Sequence, residues 1–163
     1  MNLATFERAR LAAFVYDQAR HTGSLDCMKA VAYVMRNRVQ SGWGDGSWLS
    51  VLQMAPSVAG NEPASGVEDA MCRTQPSAFS ANPSIDRLLQ LIVRDIDDIY
   101  LDQDHFGDNP TERLVCGDKP PKSGALYYSF VDRDPRTWFI ENIVRQPLEH
   151  PQTGTLGTLM LFR

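Results

Sequence analysis

The stretch that decides the fold is Cys27-Met28-Lys29-Ala30-Val31-Ala32-Tyr33-Val34-Met35-Arg36-Asn37-Arg38-Val39. Met28, Val31, Ala32, Met35 and Val39 recur at helical spacing, so the segment predicts a helix with one apolar stripe turned inward. That helix is expected over residues 25–41. Ser24 stands ready as its N-cap, and Gly42, Gly44 and Gly46 close it. Arg36, Asn37 and Arg38 gather at the C-terminal end, where cations suit the helix dipole.

Working outward, residues 5–20 predict a helix before it. Leu11, Phe14, Val15 and Gln18 fall at i, i+3, i+4 and i+7, so the polar Gln18 extends an apolar stripe while Arg10 and Asp17 point elsewhere. His21, Thr22 and Gly23 break the two helices. After Gly42 the chain is rich in Gly, Pro, Ser and Asn up to Pro83, with short helices expected around residues 48–54 and 66–72. Such a long irregular stretch in a compact domain is a frequent seat of function. Ile85, Leu88, Leu89, Ile92, Ile96, Ile99 and Tyr100 then form the widest apolar stripe in the chain, a helix over 85–100 started by Ser84.

Residues 107–122 read as a second irregular region. A strand is expected at 125–131, and Asp134-Pro135 as N-cap and first residue of a helix through Trp138, Ile140, Ile143 and Val144. A loop over 146–154 and a final strand at 155–162, antiparallel to the first, complete the reading. The pattern predicts an α+β fold, a mostly helical single domain over 1–163 with a small antiparallel sheet.

A length of 163 residues suits one domain, able to bury roughly 70% of its unfolded surface. With 43% hydrophobic residues there is enough apolar mass to offset the entropy of ordering the chain. The net charge of −4, with no Lys/Arg run, argues against a nucleic-acid partner but leaves a neutral sugar polymer open. Glu7, Arg8 and Arg10 interrupt the N-terminal apolar residues, so no secretory signal and no membrane insertion is expected. The chain reads as cytoplasmic as encoded, with delivery outside the cell left to a holin, a secretion apparatus or a signal removed beforehand.

Cys27, Cys72 and Cys116 lie far apart without CxxC spacing and read as reduced, structural thiols. His21, His105 and His150 are scattered over predicted loops. Neither a nucleophile elbow nor a phosphate loop nor an HExxH pair is present, so no metal and no cofactor is expected. Tyr127 and Tyr128 are strand neighbours facing opposite sides. They are either two packing aromatics or, for the outward ring, the wall of a sugar cleft. Of Trp43, Trp48 and Trp138, at least two are expected as buried anchors.

Several pieces, taken in order, resemble one family. Tyr16-Asp17-Gln18-Ala19-Arg20-His21-Thr22 is similar to a Tyr-x-Glu-Ala-Arg-Gly-Glu segment, and residues 27–39 to a Gly-Gln-x-Ala-Val-Ala-x-Val-x-x-Asn-Arg-Val segment. Ala78-Phe79-Ser80 resembles a Gln-Phe-Ser element, Gly124 to Tyr128 a Gly-Ala-Leu-Tyr-Tyr strand, Pro135 to Trp138 a Pro-x-x-Trp pattern, and Gly157 to Arg163 a looser closing motif. Together they resemble the bacterial cell-wall hydrolases related to the spore cortex-lytic enzyme of germination.

The resemblance implies a lysozyme-like domain that cleaves peptidoglycan glycan strands, with its catalytic Glu at the position of Gln18. Such cleavage needs a carboxylic acid to protonate the leaving oxygen, which an amide cannot do. Thr22 replaces the family's second Glu. The resemblance therefore implies a degenerate hydrolase with a groove for a glycan strand or a protein partner, formed by Gln18, Arg20, Phe79, Ser80, Tyr127 and Tyr128. Two alternatives stand beside it. One is an active hydrolase with a relocated carboxylate, for which Glu62, Glu68 and Asp69 are candidates and Asp17 is disfavoured by its rotation on the helix. The other is a non-enzymatic cytoplasmic binding or structural protein.

Overall fold

A computed structural model describes residues 2–62, 83–101 and 109–163. Helix α1 (Leu3–Ala19) begins where the Asn2 side chain accepts the amide of Thr5 at 2.8 Å, and ends in a 3-10 turn, Arg20–Thr22, closed by Gly23. Helix α2 (Leu25–Gln40) is capped by Ser24, whose hydroxyl accepts from the Cys27 amide. Helix α3 (Trp48–Met54) and a 3-10 turn (Ala55–Val58) follow, then α4 (Pro83–Leu101) and α5 (Pro110–Cys116). Strand β1 (Tyr127–Phe130) precedes α6 (Thr137–Phe139), which runs on as a π-helical turn (Ile140–Val144). Strands β2 (Gln152–Leu156) and β3 (Leu159–Phe162) end the chain.

The result is mostly helical with a three-stranded antiparallel sheet, ordered β1-β3-β2. The α2 helix is the hub, packed on α1, α3, α4, α5 and β1. Its stripe of Met28, Val31, Ala32 and Met35 is fully buried, as are Leu11, Phe14 and Val15 of α1 and Ile92 of α4. Continuous burial of this kind is the main source of the fold's stability. Among the described residues, no helix is long and apolar enough to cross a membrane.

Three expectations are corrected. The supposed irregular region before β1 contains α5, whose signature is Asn109 as N-cap, accepting from the Thr111 amide at 2.9 Å, with Pro110 at the first helical position. The expected single final strand is a hairpin. Gly157, at φ 57°, turns β2 into β3, so that Leu156 pairs with Leu159. Asp134 and Pro135 do not open a helix; Pro135 pairs with Asn61 in an isolated bridge and α6 starts two residues later. The short helix expected at 66–72 lies outside the described residues. A further expectation fails, since of the three tryptophans Trp48 alone is a buried anchor where at least two are expected: Trp43 is half-buried and Trp138 is exposed.

Candidate functional site

The Asn37-Arg38 pair has a structural use that the dipole argument missed: both side chains are fully buried. Asn37 Nδ2 donates to the carbonyls of Val115 (3.2 Å) and Ala125 (3.0 Å), tying α2 to α5 and to the chain entering β1. Arg38 Nε donates to Leu126 O at 2.8 Å, and its guanidinium lies 4.8 Å from the Trp43 ring centre and 5.9 Å from that of Tyr127. Burial pushes the Arg38 pKa down to about 10. Gly124 completes the seam, because a Cβ there would sit 2.7 Å from Asn37 Nδ2. The two most recognisable sequence segments therefore interlock with each other.

Beside them, Arg36 Nη2 donates to Glu112 Oε1 at 2.6 Å and to the Cys116 sulfur at 3.3 Å. Cys27 and Cys116 are both buried and free, and burial pushes the Cys116 thiol up, though Arg36 opposes it. Cys72 lies outside the described residues.

The other side of β1 meets the end of α1. Gln18 is 1% exposed, and its Oε1 accepts from the Tyr128 hydroxyl at 2.6 Å across 110 positions of sequence. Gln18 Nε2 is buried without a hydrogen-bond partner among the described residues. Asp17, expected to point away, is drawn into the same corner. Its side chain is 10% exposed, Oδ2 is buried and unpartnered, and Oδ1 lies 3.9 Å from Arg20 Nη2. Burial raises the Asp17 pKa, more than the nearby Arg20 and Arg133 guanidiniums lower it. Burial also raises that of Tyr128, which stays a neutral donor.

Around this corner Asn61 acts as a clamp that sequence reading overlooked. Its side chain accepts from the Phe130 amide at 2.7 Å and donates to the carbonyls of Phe130, Arg133 and Asp134. Arg133 Nη2 in turn donates to Glu62 O, and His21 sits 3.5 Å from Asp132 with its ring edge-on to Phe130. An Asn just before a chain break in periodicity carries no pattern that would single it out.

Of the six expected groove residues, the structure brings Gln18 and Tyr128 into direct contact. Arg20 stands at the rim, half exposed, 6.0 Å from the Tyr16 ring centre. Tyr127 faces the opposite side, edge-on to Trp43 (5.3 Å) and His150 (5.2 Å). The pair thus splits as its strand position predicts, with Tyr128 inward, but only one of the two rings can serve this corner. Phe79 and Ser80, with Glu68 and Asp69, lie outside the described residues. Among the described residues, no three His, Cys, Asp or Glu side chains are grouped to hold a metal. No family model, no curated protein and no solved structure matches this chain.

Proposed function

We propose that the chain is a degenerate, lysozyme-like peptidoglycan-hydrolase domain that engages a glycan strand at the corner of Asp17, Gln18, Arg20 and Tyr128 without cleaving it. The observation that carries this reading is the 2.6 Å bond from Tyr128 to Gln18. It joins two of the segments that resemble the hydrolase family, at the residue that stands where the resemblance puts the family's acid. A buried amide in that place donates and accepts hydrogen bonds but offers no transferable proton at neutral pH. Gln18 Nε2 and Asp17 Oδ2 are buried and, among the described residues, unpartnered: a spare donor and a spare acceptor that a sugar would reach where the corner opens beside Arg20.

One observation favours a second reading. Asp17 is a mostly buried carboxyl with a raised pKa in the same corner, the property that a relocated general acid needs. Under that reading the domain is an active hydrolase, and Asp17→Asn abolishes its activity.

Co-sedimentation with insoluble peptidoglycan tests the proposal. The wild type is expected in the pellet, and Gln18→Leu with Asp17→Ala is expected to release it. A wild type left entirely in the supernatant would reject glycan binding and favour a protein without connection to the wall.

A further inference from the structure

A cavity lies away from this corner, between α2, α4 and α5. It has a volume of about 190 Å³ and is lined by Lys29, Tyr33, Asp95, Asp98, Asn109 and Glu112. That is somewhat above the ~150 Å³ of an engineered cavity that takes up benzene, so a molecule of about six heavy atoms fits. The lining is built rather than incidental. Lys29 and Tyr33 are one helical turn apart on α2, Asp95 and Asp98 share a face of α4, and Asn109 and Glu112 belong to the first turn of α5.

Carboxylates alone would say little. Two deeply buried side chains point further. Tyr33 is 4% exposed, and its hydroxyl makes no hydrogen bond within the described structure while lying in the field of Glu112 and Asp95. Glu112 is 5% exposed and commits Oε1 to Arg36 at 2.6 Å, while its Oε2 accepts no hydrogen bond from the described residues. Lys29 lines the same space yet forms no ion pair within 4.0 Å with any of the three acids. Opposite charges that border one cavity without touching leave a gap of molecular size between them.

We propose that this cavity binds a small zwitterion of amino-acid size. The ligand's ammonium sits among Asp95, Asp98 and Glu112, with the Tyr33 oxygen accepting one of its protons, and its carboxylate rests on Lys29. Both ends then make charge-assisted hydrogen bonds, which are about twice as strong as neutral ones. Burial holds the Tyr33 phenol protonated, so it adds no fourth negative charge.

The test is an amide NMR titration of the full chain with L-alanine, ethylammonium and propionate as probes. L-Alanine is expected to give saturable shifts at Lys29, Tyr33 and Asn109, with an affinity at least about tenfold above either single-charge probe. The exposed Asp98→Asn, which leaves the core untouched, is expected to lower that affinity about tenfold, and Tyr33→Phe to lower it about threefold with thermal stability retained. Absence of saturable shifts with L-alanine, equal binding of all three probes, or unchanged affinity in Asp98→Asn would each overturn the proposal.

Discussion

The two sides of β1 differ in how their polar groups are treated. Toward α2, Asn37 serves two carbonyls with one amide group, Arg38 a third, and Gly124 leaves room for them. Toward α1, the Gln18 side chain meets the Tyr128 hydroxyl and no backbone group; among the described residues each side keeps unpartnered buried atoms, Asn37 Oδ1 and Arg38 Nη2 on the first, Gln18 Nε2 and Asp17 Oδ2 on the second. Buried backbone carbonyls must find partners, so side chains that serve them are committed to the fold, whereas a bond between two side chains makes no such commitment. The first side explains why a sequence pattern can be strong and purely architectural. The second is the corner at which we propose that a ligand engages the same strand.

The comparison can be broken from its architectural side with the largest effects. Glu112→Ala strips a buried guanidinium of its carboxylate and is expected to cost about 3–5 kcal/mol in chemical denaturation. Asn37→Ala leaves the Ala125 carbonyl unserved and takes one of two donors from that of Val115, which keeps the Ala125 amide, and is expected to cost about 1–3 kcal/mol. Gly124→Ala forces a methyl onto the Asn37 amide, at about 1–3 kcal/mol, and is non-additive with Asn37→Ala because one contact underlies both. A seam that tolerated all three without loss would not be architectural.

On the α1 side the expected effects are smaller. Tyr128→Phe removes a single hydroxyl from Gln18 Oε1 and should cost about 1–2 kcal/mol. Asp17 is read out by pH. Its folded pKa is raised above the unfolded value, so the native state holds the extra proton between the two. Its stability contribution is present below the unfolded pKa and is lost as pH rises through the folded one. Asp17→Asn, which mimics the protonated form, is expected to be more stable than the wild type at neutral pH, the gap closing on acidification. Parallel stability curves for the two proteins would remove Asp17 from the buried corner.

Much of the fold was legible because it rests on periodicity. The stripes of α1, α2 and α4 gave those helices, with ends within two residues of the observed ones. The α5 helix escaped notice because seven residues supply barely one repeat of a stripe, and its Asn-Pro start was the only cue. The β2–β3 hairpin escaped because β2 is exposed and lacks β-branched runs, leaving Gly157 as its one local signal. At the site, the stripe placed Gln18 correctly inward. It misplaced Asp17, since the residues of α1 from Leu11 to Ala19 are covered nearly all round and a rotation of about 100° still ends under other elements. The partners of Gln18 and Asn37 lie some hundred positions away, a distance that no local pattern spans.

The central claim, glycan engagement without cleavage, is tested most directly by incubating the wild-type chain with isolated sacculi and analysing both fractions. The account predicts that the protein pellets with the sacculi and that mass spectrometry finds no soluble muropeptides. Soluble muropeptides that disappear with Asp17→Asn would contradict it, and would make Asp17 the acid of a working hydrolase.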